Sequence, residues 1–285
     1  MRHLTVCADD FGLNPQINAA IVRLVSCGRL NAVSCMATGL AMHQGVEALL
    51  EAANTAPHRV DIGLHLTLTE YAPLTDMPTT APRGRFPSIN EAIVRSYTTG
   101  LASDEIRTEL QRQWDGFHEA FGRRPAFLDG HQHVHVLPGV REALIDLGQR
   151  NLPTDGWIRS CHTPAGTVAR LRTSIGKSLV LTGLARRLNV MLADVGISSN
   201  ERFFGISDLK PGSDYGKSMR RWLSAAAQCH SASSLIMCHP GIKNNDRRKS
   251  DAHDPIAKRR IEEFAYLESA AFVQDLRDRD LQLSD

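Results

Sequence analysis

The chain has 285 residues, 42% of them hydrophobic and 22% charged, and a net charge of +2. That balance leaves no electrostatic footprint for nucleic acid or a membrane surface, and no run of about 18 apolar residues exists to span a bilayer. The length suffices for a substantial core. The six cysteines form no C-x-x-C pair, which predicts reduced, mostly buried thiols in a cytoplasmic protein rather than disulfides or a zinc–thiolate site.

Leu4 to Ala8 reads as a short buried strand, starting so near Met1 that no signal peptide is expected. Asp9 and Asp10 stand where that strand should stop, and Asn14-Pro15 supplies a cap and a first helical position. A helix follows, with Gly28 as its stop. Ala32–Met36 is a second strand, residues 43–54 a second helix, and Val60–Leu66 a third strand carrying His65 near its end. Thr69 to Pro87 is a long Pro- and Thr-rich loop, a length often associated with lids. Ile106, Leu110, Trp114, Phe117 and Phe121 stripe an amphipathic helix that Ser103 is expected to cap. Ala126–Asp129 is a fourth strand running into His131, His133 and His135.

Pro138 opens a further helix, and Trp157–Arg159 is a short strand. Residues 165–192 form basic helical sequence, read as a solvated face. Glu201–Ile206 is a strand and 215–229 a helix. Ser234–Cys238 is a strand that delivers His239. Ile242–Asp254 is polar, Pro255 opens a helix, Ser269 caps the last one, and Leu281–Leu283 closes the chain as a strand. Strands alternating with helices predict an α/β protein: a single domain over 1–285 built as a distorted parallel (β/α) barrel of about seven strands.

The carboxyl ends of parallel strands are where such folds place their chemistry. Asp10, His65 and His131 come from three predicted strand ends, and one carboxylate with two imidazoles is a common set for a catalytic divalent cation. Neighbouring strand residues face opposite ways, so one of Asp9 and Asp10 can bind a cation while the other moves a proton. In an extended Asp129–His135 segment the three imidazoles share one face, and spacing alone leaves open which of them is a ligand.

Three blocks resemble the signatures of the YdjC-like carbohydrate deacetylases: Ala8-Asp9-Asp10-Phe11-Gly12, Gly63 to Thr69, and Leu128 to His135. Arg159, Phe204-Gly205, Met237-Cys238-His239-Pro240 and Arg260, Glu263, Leu267 and Ser269 extend the similarity in family order. That family includes chitin-disaccharide deacetylases and a branch tied to hopanoid biosynthesis. The resemblance implies a distorted βα-barrel similar to NodB-type deacetylases, and Asp10, His65 and His131 as ligands of one divalent ion, Mg2+ or Zn2+. It also implies hydrolysis of an N-acetyl group from an amino sugar in an oligosaccharide or glycolipid. The chain departs from the family at Thr69-Glu70-Tyr71-Ala72-Pro73, where members often have a glycine before the proline, and it matches little between Gly156 and Tyr215.

The residues suit amide hydrolysis. Asp9 is the expected general base, and His239 the expected acid, with His133 or His135 next. His133, His135 and Arg159 are candidates for substrate binding, and Arg159 alternatively for an ion pair with Glu263 or Asp129. Other readings are a metal-dependent phosphoesterase or another amide or ester hydrolase, and a non-catalytic sugar-binding protein. A homodimer is the default assembly.

Overall fold

The apolar runs become a parallel sheet because strands buried on both faces need no polar alternation. The computed structural model describes residues 2–171, 174–207, 214–229, 233–243 and 254–283. Strand β1 (Arg2–Phe11) is central, followed by helix α1 (Pro15–Ser26), β2 (Ala32–Cys35), α2 (Met42–Thr55) and β3 (Asp61–Leu66). Then come α3 (Ile89–Tyr97), α4 (Ser103–Phe121), β4 (Phe127–Gly130), a 3-10 turn (His131–Val136), α5 (Val140–Asn151) and β5 (Trp157–Ile158). The second half holds α6 (Ala165–Leu171), α7 (Ile175–Val195), β6 (Arg202–Phe204), α8 (Tyr215–Ala227), β7 (Ser234–Cys238), α9 (Ala257–Glu268), α10 (Ala270–Arg277) and β8 (Leu281–Leu283).

Seven strands run in the order β5-β4-β3-β2-β1-β7-β6, all parallel. The eighth, β8, pairs only with the opening residues of β1, Arg2–Leu4. The two ends of this curled path meet at an irregular seam. Trp157 bridges Ser198, the Asn200 side chain holds both backbone groups of Ser160, and Phe203 N–H reaches His162 O. The result is a seven-stranded, distorted barrel.

Local chemistry accounts for most boundaries. Asn14 accepts from Ile17 N–H and Pro15 follows it, as expected. Gly63 must be glycine because a Cβ there would meet the Phe127 ring at 2.5 Å, and that ring stacks on Trp157 at 4.1 Å. Ile106, Leu110, Trp114, Phe117 and Phe121 are buried as the stripe predicts, each worth about 1.5–3 kcal/mol against exposure. Ser103 is inside α4, after Ala102, and makes no cap. Helix α3, which the sequence reading does not include, starts on a Ser88–Glu91 capping box. The residues 244–253 of the polar stretch before Asp254 lie outside the described ones. Of the six thiols, Cys7, Cys35, Cys161 and Cys238 are buried, Cys229 is half-buried and Cys27 exposed, all of them free. No helix among the described residues is long and apolar enough to cross a membrane.

Candidate active site

The loop ends above the strands converge on a cavity of about 530 Å³ lined by Asp9, Asp10, His65, Tyr71, His131, His133, His239, Asp254 and Arg260 on its polar side. Aliphatic side chains of α3 and α7, among them Ile89, Ile93, Val180 and Leu184, line the other.

Strand β1 does not end cleanly before the two carboxylates. Its register with β2 breaks between Ala8 and Phe11, and Asp10 sits at φ +71 in the left-handed region. This kink, more than plain strand alternation, sends Asp9 and Asp10 apart. The Asp10 Oδ1 atom lies 3.0 Å from His131 Nδ1 and 3.5 Å from His65 Nε2. One donor atom from each of the three lies within 4.8 Å of the others. Ligands around an ion at roughly 2.0–2.2 Å stand about 3–3.5 Å apart, so the set fits a divalent cation. Two imidazole nitrogens aimed at one carboxylate oxygen also make little sense unless protons or a cation lie between them.

The surroundings hold these donors in place. Asp129 Oδ1 contacts His65 Nδ1 at 2.7 Å, and Ser34 Oγ joins both, at 2.5 Å from Asp129 and 3.0 Å from His65. A carboxylate behind a ligating imidazole fixes its tautomer and orientation. Burial opposes protonation of His65, but Asp129, Asp10 and Asp9 outweigh it and push the group up to about 10. Arg260 donates to Asp10 Oδ2 at 2.7 Å and to Asp254 at 2.7 Å. Against burial, Arg260 and His131 hold the Asp10 carboxyl well below its ordinary range.

Asp9 faces a different cation. Arg159 grips it with two bonds, 2.7 Å to Oδ2 and 2.6 Å to Oδ1, and also pairs with Asp129 at 2.6 Å. Burial raises and Arg159 lowers the Asp9 carboxyl; the guanidinium prevails and keeps it ionised, well below the usual range. Cys7, Asp9 and Asp129 are spaced like a second metal group, but the Arg159 guanidinium already occupies their centre, with Nη2 3.0 Å from the Cys7 sulfur.

The histidine cluster is not extended. Gln132 and His133 both take left-handed backbone angles, φ 52 and φ 59, and the tight turn fans the imidazoles out instead of aligning them. His131 joins Asp10. His133 lines the cavity beside Cys161 and Phe203, where burial keeps it neutral. His135 is fully buried and hydrogen-bonds Arg159 O at 3.1 Å. His135 and Arg159 thus stand behind the cavity wall rather than in it. Arg159 makes the ion pair with Asp129 but not one with Glu263. His239 lines the cavity, and its backbone N–H donates to buried Glu263 at 2.6 Å.

Four contributors escaped sequence reading: Ser34, Asp129 in its role behind His65, Arg260 in its role on Asp10, and Tyr71. Asp129 carried a usable signal, a carboxylate at a strand end next to a glycine and a histidine. The partners of Arg260 and Ser34 lie 250 and 95 positions away, which no local pattern reveals.

The Thr69–Pro87 loop is also unlike a free lid. Gln113, Glu109 and Glu105 of α4, spaced by four, meet the chain from Thr67 to Thr80 along one helix face. Gln113 holds both backbone groups of Thr67 at 2.8 and 2.7 Å. Glu109 accepts from Leu74 N–H and Thr75 N–H, and Glu105 from Thr79 and Thr80 N–H. The loop is a fixed wall.

Fold and site together define a class: a parallel βα-barrel whose strand ends gather an Asp-His-His donor set and, beside it, a second carboxylate on an arginine. Within it the chain belongs to the family of YdjC-like proteins, whose sequence model matches residues 3–278. A carbohydrate deacetylase of Mus musculus is 31% identical over 255 residues, 84% of this chain and 77% of that protein. A chitooligosaccharide deacetylase of Salmonella typhi is 28% identical over 279 residues, 98% of this chain and 95% of that one. Among solved structures, a candidate cellobiose-phosphate cleavage protein of Enterococcus faecalis aligns with TM-score 0.76 at 18% identity, covering 100% of this chain and 97% of its own. At that identity the likeness speaks for the fold alone.

Proposed function

We propose that the chain, acting as one deacetylase domain, hydrolyses the N-acetyl group of an amino sugar within an oligosaccharide or glycolipid, releasing acetate and a free amine. The observation that carries this reading is the convergence of Asp10, His65 and His131 donor atoms within 4.8 Å beside an arginine-held Asp9 at the polar end of one cavity. The named activities of the mouse and Salmonella relatives supply the substrate class.

Asp10, His65 and His131 would hold one divalent ion, Mg2+ or Zn2+. Such an ion lowers the pKa of water toward about 7 and polarises a carbonyl. Asp9 takes the proton of the attacking water. Arg159 keeps that carboxylate ionised and aimed. His239, fixed at the end of β7 by Glu263, returns a proton to the departing nitrogen, so that the amine leaves neutral. Asp129 and Ser34 orient His65, and Arg260 orients Asp10.

A two-ion phosphoesterase is disfavoured because the second carboxylate group encloses Arg159. The deciding experiment is acetate release from N-acetylglucosamine, diacetylchitobiose and N-acetylglucosaminyl lipids, with Mg2+ or Zn2+ and after chelation. Turnover that survives complete chelation, or a stoichiometry of two ions per chain, would sink the reading.

A further inference from the structure

Amide hydrolysis puts negative charge on the acetyl oxygen when water adds to the carbonyl carbon, and enzymes place a donor there. The cationic groups around the cavity are mostly committed. Arg260 is bonded to Asp10 and Asp254, Arg159 to Asp9, and Lys177 stands exposed on α7. Tyr71 offers a neutral donor instead. It lines the cavity with the metal-binding trio, its ring is 5.6 Å from that of His131, and among the described residues its hydroxyl has no hydrogen-bond partner.

The backbone around it is held by several bonds. Glu70, not a glycine, takes φ +66, a left-handed conformation that L side chains adopt at a cost. Glu70 N–H bonds Pro87 O at 3.1 Å, Tyr71 N–H bonds Thr69 O at 2.7 Å, and Phe86 N–H bonds Tyr71 O at 2.8 Å. Strain held by so many bonds marks a position whose direction matters.

We propose that Tyr71 is a further catalytic residue, whose hydroxyl donates a hydrogen bond to the acetyl oxygen as water adds to the carbonyl carbon. The bond persists while that oxygen is anionic and weakens when the C–N bond breaks and the carbonyl re-forms. No proton leaves the phenol. The inference rests on the deacetylase reading above.

The test is Tyr71→Phe in the metal-loaded full chain, compared with wild type on whichever N-acetyl sugar is turned over. We expect unchanged metal content, KM within about threefold, and kcat lower by about 10–100-fold, as for loss of a hydrogen bond to a charged group. Binding of methylphosphonate, a tetrahedral anion with the acetyl group's methyl, should weaken by about tenfold or more in calorimetry. Wild-type kcat and wild-type methylphosphonate affinity in Tyr71→Phe would overturn the inference and leave the deacetylase reading standing. A raised KM at full kcat would also overturn it, by making the hydroxyl a binding group. A wild type that loads metal but releases no acetate from any N-acetyl sugar fells the reading and the inference with it.

Discussion

Asp9 and Asp10 are adjacent, chemically identical and equally buried, yet each opens onto a different compartment. Asp10 turns Oδ1 onto two imidazoles at 3.0 and 3.5 Å and gives only Oδ2 to Arg260, whereas Asp9 gives both oxygens to one guanidinium, at 2.6 and 2.7 Å. The first compartment suits an exchangeable cation. The second holds a cation that is part of the chain. Side-chain identity therefore does not assign the roles of the two aspartates; the partner each meets across the barrel does.

The comparison breaks most sharply under ligand removal. His65→Ala, His131→Ala and Asp10→Asn should each abolish ion binding, a larger loss than the roughly 10–100-fold expected for Asp129→Asn, which removes only a support. Metal content by elemental analysis checks this. Retention of the ion in His131→Ala together with its loss in His133→Ala would show the wrong histidine had been chosen. Asp9→Asn should keep the ion and the fold but lower kcat by about 10²–10⁴; equal metal loss in both aspartate variants would erase the distinction between compartments.

His239→Ala should lower kcat and kcat/KM together, by about 10²-fold, with metal intact. A variant that merely melts earlier at near-normal turnover would assign His239 to structure and remove it from the acid role. A pH experiment sharpens the Asp10 compartment further. His65, pushed up to about 10 from an unfolded value near 6.5, stabilises the ion-free fold fully below about pH 6.5. That contribution is lost as pH rises through about 10. Loading the ion at pH 8 must displace this proton, so calorimetry in buffers of different ionisation heat should show about one proton released per ion. Smallest is Glu109→Gln, which weakens a buried acceptor of loop amides and should cost about 1–3 kcal/mol of stability in a denaturant titration, with the metal site untouched.

The strands and three of the site residues were legible because each depends on short-range pattern: an apolar run, then a charged or imidazole residue, then a turn. Val60–Leu66 and Ser234–Cys238 are such cases, and their observed spans, Asp61–Leu66 and Ser234–Cys238, barely differ. The histidine cluster misled for the opposite reason. Its alternation suggested an extended segment, but two consecutive left-handed residues made a turn that spacing does not encode. The α3 helix stayed hidden because only Ala92 is buried on it, so no apolar stripe announces it. Arg159 kept two readings open until Asp9, 150 positions away in the chain, was in view beside Asp129.

The three α4 side chains that pin Thr67 and the Thr69–Pro87 loop have a consequence for how the protein breathes. A segment without strand or helix normally exchanges its amide protons as fast as a free peptide. Here the amides of Thr67, Leu74, Thr75, Thr79 and Thr80 are covered by carboxylates and an amide that ride on one helix. They can open only when α4 lifts or its side chains let go, so their protection should rise and fall as one block. Tyr71 rides on the same segment. Its alignment over the cavity is then set by the docking of a helix whose aromatic face, from Trp114 to Phe121, is packed in the hydrophobic core.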